Sequence, residues 1–153
     1  MKKVRLLLVI DTLLSTNELV TIGSKLCLSP SLEVGVLLLV DPGDISPTSA
    51  YYDDVMDQLQ RQGYRYLNRA AQLMQTPANA AFLRISRHAD RMVAAVARTF
   101  EAHYILLNAT PGWPRDLISP DEFTSQVRLL TNIPILLLDE FQPVDMQYQC
   151  SPN

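Results

Sequence analysis

Residues 104–110 read Tyr-Ile-Leu-Leu-Asn-Ala-Thr and open into a long connection that reaches Glu122. The block Tyr104–Leu107 shows no polar–apolar alternation, the mark of a strand buried on both faces, as in a parallel sheet. The connection behind it contains only one glycine, Gly112. In open α/β sheets, ligands bind outside the carboxyl ends of such strands. Where the ligand is a phosphate, the loop there is usually built from glycines, because only glycine lets backbone amides come close at a helix N-terminus. The fold and the fate of an anion site both turn on this stretch.

Working outward, the same solid apolar pattern recurs at Val4–Ile10, Glu33–Val40, Ala80–Ile85 and Ile133–Leu138. Helical periodicity fills the spaces between. Ser15-Thr16-Asn17-Glu18 has capping-box spacing, and Leu19, Ile22 and Leu26 share one face behind it. Asp41-Pro42-Gly43-Asp44 is a turn. From about Pro47 to Gln75, Val55, Leu59, Leu67, Ala70, Leu73 and Met74 recur at helical spacing, with Tyr52 and Tyr66 extending the face. Gly63 lies on that face, where close packing is its expected role. A third helix, His88 to Glu101, turns Met92, Val93, Val96 and Phe100 inward. Ser119-Pro120-Asp121-Glu122 is a second capping signature, ahead of the stripe Phe123, Val127 and Leu130. The order βαβαβαβαβ predicts a three-layer α/β fold: a doubly wound five-stranded parallel sheet in the order 3-2-1-4-5, with right-handed crossovers. Residues 1–141 read as one domain and 142–153 as a polar, loose tail.

Composition narrows the function classes. The chain has 153 residues, 48% of them apolar and 19% charged, with net charge −3. Its 13 basic residues are scattered, so the electrostatic footprint of a nucleic-acid binder is missing. Cys27 reads as a buried thiol and Cys150 as an exposed one, and neither belongs to a CxxC pair. Leu6–Ile10 is too short for a signal-peptide core and is interrupted by Asp11. No apolar run reaches the roughly 18 residues of a membrane span. A soluble, cytoplasmic protein is the expectation.

The predicted topology places the candidate site between the first and fourth strands, at Asp11, Val40, Asp41 and Asn108. No catalytic residue is expected there. His88 and His103 are the only histidines; both read as surface residues, and no GxSxG elbow accompanies them. Metal-ligand spacing is absent. A phosphorylatable receiver needs clustered acids and a lysine after the fifth strand, yet no lysine follows Lys25. Thr12-Leu13-Leu14-Ser15-Thr16 has hydroxyls but no glycine for a flavin phosphate, and Walker A and GxGxxG are missing. Two readings of Asp11 stay open: a hydrogen bond to an adenine or ribose edge, or contacts to backbone amides where the first helix starts. Asp41 reads as a turn former.

Over residues 3 to 140 the pattern resembles the universal stress protein family. VRLLLVID is similar to that family's first strand, with its terminal aspartate beside the adenine site, and EVGVLLLVDP to its second. HADRMVAAVARTFEAHYILLNA resembles the run into the fourth strand, and NIPILLL the approach to the fifth. In the ATP-binding branch, Gly-x2-Gly-x9-Gly-(Ser/Thr) follows the fourth strand. Here those positions hold Asn108, Pro111, Asp121 and Glu122. Pro111 offers no N–H donor, and two carboxylates at a helix N-terminus answer the dipole and repel a triphosphate. Gly112, one position off, can supply a single amide contact. The resemblance therefore implies a non-enzymatic protein that has lost ATP binding, expects no cofactor, and acts through protein contacts in stress adaptation. It also implies a homodimer paired through Ile135, Leu136, Leu137 and Leu138, an apolar edge hazardous if left bare; the tail after Phe141 is the alternative cover. The competing reading keeps an adenine nucleotide or other small ligand in an altered pocket of Asp11, Val40, Asp41, Asn108 and Gly112.

Overall fold

The computed structural model describes residues 3–12, 14–26, 30–107 and 120–138, with Pro120 and Asp121 described by backbone alone. Its elements, in chain order, are β1 (Val4–Ile10), α1 (Thr16–Leu26), β2 (Leu32–Val40), α2 (Tyr52–Leu73), β3 (Ala81–Ile85), α3 (Ala89–Phe100), β4 (Tyr104–Leu107), α4 (Pro120–Leu130) and β5 (Ile135–Leu137), with a 3-10 turn at Ala78–Ala80. All strand pairs are parallel, and the order is β3-β2-β1-β4-β5. The predicted sheet order is the observed one.

The unbroken apolar runs are explained by cores on both sides of the sheet. Leu6, Leu8 and Ile10 of β1 join Leu19, Ile22 and Leu26 of α1 and Leu67, Ala70 and Met74 of α2 on one face. Leu7 and Val9 join Val93, Val96, Ala97 and Phe100 of α3 and Phe123 and Val127 of α4 on the other. Successive side chains of a strand point to opposite faces, so the stretch of a strand sandwiched between two helical layers is apolar on both; in β1 that stretch is Leu6–Ile10, and Arg5 lies before it, half-exposed. Phe100 lies against the bare backbone of Gly35 in β2, where an added Cβ would stand 2.9 Å from the ring.

Caps and turns follow the local chemistry. In the capping box of α1, the Glu18 N–H donates to Ser15 Oγ at 3.1 Å and the Ser15 N–H to Glu18 Oε1 at 3.5 Å. The second helix begins later than its periodicity suggests, at Tyr52 instead of Pro47. Hydroxyls explain the delay: the Thr48 N–H donates to Ser46 Oγ at 3.3 Å and the Tyr51 N–H to Ser49 Oγ at 3.2 Å, local bonds that hold residues 46–51 in turns. Beyond α2, Thr76 Oγ1 donates to the Val34 carbonyl at 2.9 Å and satisfies β2 below the start of β3.

Two expected core assignments need correction. Leu130, predicted to finish the stripe of α4, is 42% exposed. It sits on the last turn of α4 beside Leu129, which is 85% exposed. Val55 and Leu59 are only half-buried, because the first turns of α2 overhang the end of β3. β5 is also shorter than the predicted Ile133–Leu138. Cys27, Cys150 and the tail from 142 lie outside the described residues.

Candidate functional site

The winding reverses between β1 and β4, and their carboxyl ends define the crevice where this architecture places ligands. Asp11 follows β1 directly and is 6% exposed. Burying a carboxylate there is costly without polar surroundings, and its charge reaches Tyr66 of α2. The Tyr66 hydroxyl, from the middle of α2, donates to the Leu14 carbonyl at 2.7 Å. Burial first, then the Asp11 carboxylate, then Glu18, hold the Tyr66 phenol well above its ordinary range, with Arg69 opposing them. Arg69 Nη1 donates to Thr16 Oγ1 at 3.4 Å. The loop between β1 and α1 is thus fastened from α2 by two side chains, with Asp11 beside the fastening.

At the end of β2, the Val40 carbonyl accepts the Ser86 N–H at 3.0 Å. Asp41 is half-buried, and its Oδ1 accepts the Gly43 N–H at 2.8 Å. This is an Asx turn, the role read from the sequence, and Gly43 takes a positive φ of 79° within it. Arg87, just past β3, donates to the Gly43 carbonyl and stands 3.9 Å from Asp44. The loops after β2 and β3 are therefore tied together, and the polar groups at these strand ends are engaged within the chain.

The structure brings Asp11, Val40 and Asp41 to the carboxyl side of the sheet. Asn108, Pro111 and Gly112 lie outside the described residues. α4 begins at Pro120, which puts Asp121 and Glu122 in its first turn; Glu122 is exposed. Ile135, Leu136 and Leu137 form β5 and Leu138 follows it, all half-buried. The sequence reading missed Tyr66 as a polar contact, because its ring also fits the apolar stripe of α2. Nothing local reveals a partner 52 residues away.

The histidines stand apart from the crevice. His103 Nδ1 accepts the Arg5 N–H at 2.9 Å at the amino end of β1, and His88 is the exposed residue that precedes α3. Among the described residues, no group of three or more His, Cys, Asp or Glu can hold a metal, and no helix is long and apolar enough to cross a membrane.

This is a doubly wound sheet with an acidic residue at the switch point and helices on both faces. No family model and no curated protein matches the sequence. Solved structures do match. A universal stress protein family member from Burkholderia pseudomallei shares 15% identity at a TM-score of 0.58, over 88% of this chain and 94% of its own. UspA from Lactobacillus plantarum shares 17% at 0.57, over 90% and 98%. A universal stress protein in complex with cAMP shares 11% at 0.52, over 90% and 98%. The chain has the universal stress protein fold, as the sequence resemblance implies.

Proposed function

We propose that this chain is a universal stress protein that works as a non-enzymatic, cytoplasmic homodimer through protein contacts, with the family's manner of ATP binding lost. The observation that carries the reading is the content of the phosphate positions. Aligned on the family's motif from Leu107 to Pro134, Asn108, Pro111, Asp121 and Glu122 occupy the positions of three glycines and a hydroxyl. Pro111 cannot donate, and the carboxylates of Asp121 and Glu122 belong to the first turn of α4. Negative charge there already complements the helix dipole and opposes a triphosphate.

The dimer half of the reading draws on β5. It is one of the two outer strands of the sheet, and it is apolar throughout. On the last turn of α4, five residues before β5, Leu129 is 85% and Leu130 42% exposed. A twofold contact would pair β5 with its mate and cover both leucines, a self-complementary arrangement.

The competing reading, an adenine nucleotide in an altered pocket, is favoured by Asp11 at the end of β1 and by the cAMP-bound neighbour of the same fold. One experiment separates the two. The pure protein is denatured, any released small molecule is identified by mass spectrometry, and ATP with magnesium and cAMP are titrated by calorimetry. The proposal expects no copurified nucleotide and no saturable heat at millimolar ligand. A micromolar dissociation constant, about −8 kcal/mol of binding free energy, refutes it. Sedimentation velocity tests the dimer, and monomer alone at high concentration removes that part.

A further inference from the structure

We propose that Arg84 closes the β3 edge of the sheet and so confines self-association of this chain to the β5 edge. The β5 half rests on the dimer reading above; the β3 half stands on its own geometry. The sheet has two outer strands, β3 and β5. In β3 the phase of the backbone is fixed by the Ser86 N–H, which donates to the Val40 carbonyl of β2 at 3.0 Å. Backbone polar groups of a strand alternate in direction. Phe82 and Arg84 therefore face β2, and Ala81, Leu83 and Ile85 aim their N–H and C=O groups away from the sheet. These five residues carry a single charge, that of Arg84, and such a segment is a ready template for another strand.

Arg84 answers that template directly. Its Nη1 donates to the Leu83 carbonyl, the middle acceptor of the outward row, at 2.9 Å. The guanidinium also stands 5.8 Å from the centroid of the Phe82 ring. Phe82 is in turn held edge-on by Phe100, with centroids 6.2 Å apart and planes at 70°. The cation is thus pinned along the strand instead of extending into water. A strand docking here must displace it from Leu83 and take a charge out of solvent, which is expensive without a partner ion.

The β5 edge has the opposite character. The Ile105 N–H donates to the Pro134 carbonyl at 2.9 Å, so Ile135 and Leu137 present their backbone outward. No charge stands in β5. If both edges accepted a second copy, alternating contacts would propagate into an open chain of protomers. Guarding one edge limits assembly to a closed pair.

The test is sedimentation velocity on wild type and Arg84→Thr at roughly 100 µM, a range in which exposed edges associate. Each is also measured in a Leu137→Lys background that charges the β5 edge. Arg84→Thr is expected to raise the mass average above the dimer, and in the Leu137→Lys background to convert monomer into dimer or larger species. A folded Arg84→Thr whose size distribution matches its parent in both backgrounds overturns the proposal. Wild type as monomer with Arg84→Thr as larger species removes the β5 dimer and leaves the guarding role of Arg84 standing. If Arg84→Thr loses its cooperative melt, Arg84→Gln, which keeps side-chain length and removes the charge, takes its place under the same criteria.

Discussion

Two glycines on the α1–α2 face of the sheet make different predictions for the same substitution. Gly23 lies where α1 meets the end of α2. A Cβ there would stand 2.5 Å from the Leu73 carbonyl oxygen and 3.3 Å from its carbon, whereas ordinary contact begins at 3.4 Å. The obstacle is backbone, so the helices must separate by roughly an ångström. Alanine gains about 1 kcal/mol of helix propensity over glycine. Overpacking of this kind costs about 1–3 kcal/mol, with a fixed backbone towards the upper end. Gly23→Ala is therefore expected to lose about 1–2 kcal/mol net, a fall of roughly 3–8 °C in Tm for a chain of this size. At Gly63 the added Cβ meets Leu83 Cδ1 at 2.9 Å and Cδ2 at 3.1 Å. Those are the ends of a flexible side chain that can rotate aside, so strain and propensity nearly cancel, within about 0.5 kcal/mol. Thermal melts followed by circular dichroism compare the two. A Gly23→Ala protein that melts at or above wild type refutes the close approach of α1 and α2, and with it the geometry that brings Tyr66 to Leu14.

Tyr66→Phe removes the donor to the Leu14 carbonyl and is expected to cost about 1 kcal/mol in urea unfolding. It also has an alkaline signature. The folded-state value of the phenol is raised above its unfolded value of about 10, so above that pH the native state binds more protons and stability falls as pH rises. Tyr66→Phe should lose that alkaline component, which a pH series of melts from 8 to about 11 checks. Arg5→Ala deletes a bond to the Phe100 carbonyl at 2.8 Å and ion pairs to Glu33 at 3.4 Å and Glu101 at 3.7 Å; solvent screening keeps the expected loss near 1 kcal/mol. Glu101 ends α3 in the left-handed region, with φ 58° and ψ 46°, so Glu101→Gly should gain about 0.5 kcal/mol in the same unfolding assay.

The sheet was legible because its central strands are apolar on both faces, with charges only towards strand starts (Arg5, Glu33) and on the outer strand β3 (Arg84). Leu6–Ile10, Val34–Val40 and Ile105–Leu107 hold no polar side chain, and burial between two helical layers accounts for that. Strand order followed from short right-handed crossovers. What stayed hidden depends on contacts between distant residues or on the limits of an element. The α2 periodicity continues back through Pro47, but hydroxyl-to-backbone bonds at Ser46 and Ser49 outbid the helix. Leu130 carries the right spacing for the core, yet at the last turn of α4 it is left 42% exposed. Arg87 reads as one more scattered cation, and only the folded chain shows that it ties the loop after β3 to Gly43 and Asp44.

A crevice at a switch point fixes where a ligand would lie, and the engagement of its polar groups decides whether one gains by binding. Three of those groups are occupied within the chain: the Leu14 carbonyl by Tyr66, the Val40 carbonyl by Ser86, and Asp41 Oδ1 by Gly43. A nucleotide that used them in place of these partners would give up about 0.5–1.5 kcal/mol for each bond exchanged. The compensating term in a phosphate site is a nest of backbone amides; the proposed reading has proline at 111 and carboxylates at 121 and 122 weaken it. On the reading proposed above, exchange of internal bonds without that gain would favour the unliganded state. The same accounting makes Asp11 the informative position. If a small ligand binds here after all, Asp11→Asn should weaken it severalfold while the melting temperature moves little. If Asp11 serves the start of α1, the melt moves and no ligand affinity exists to be lost.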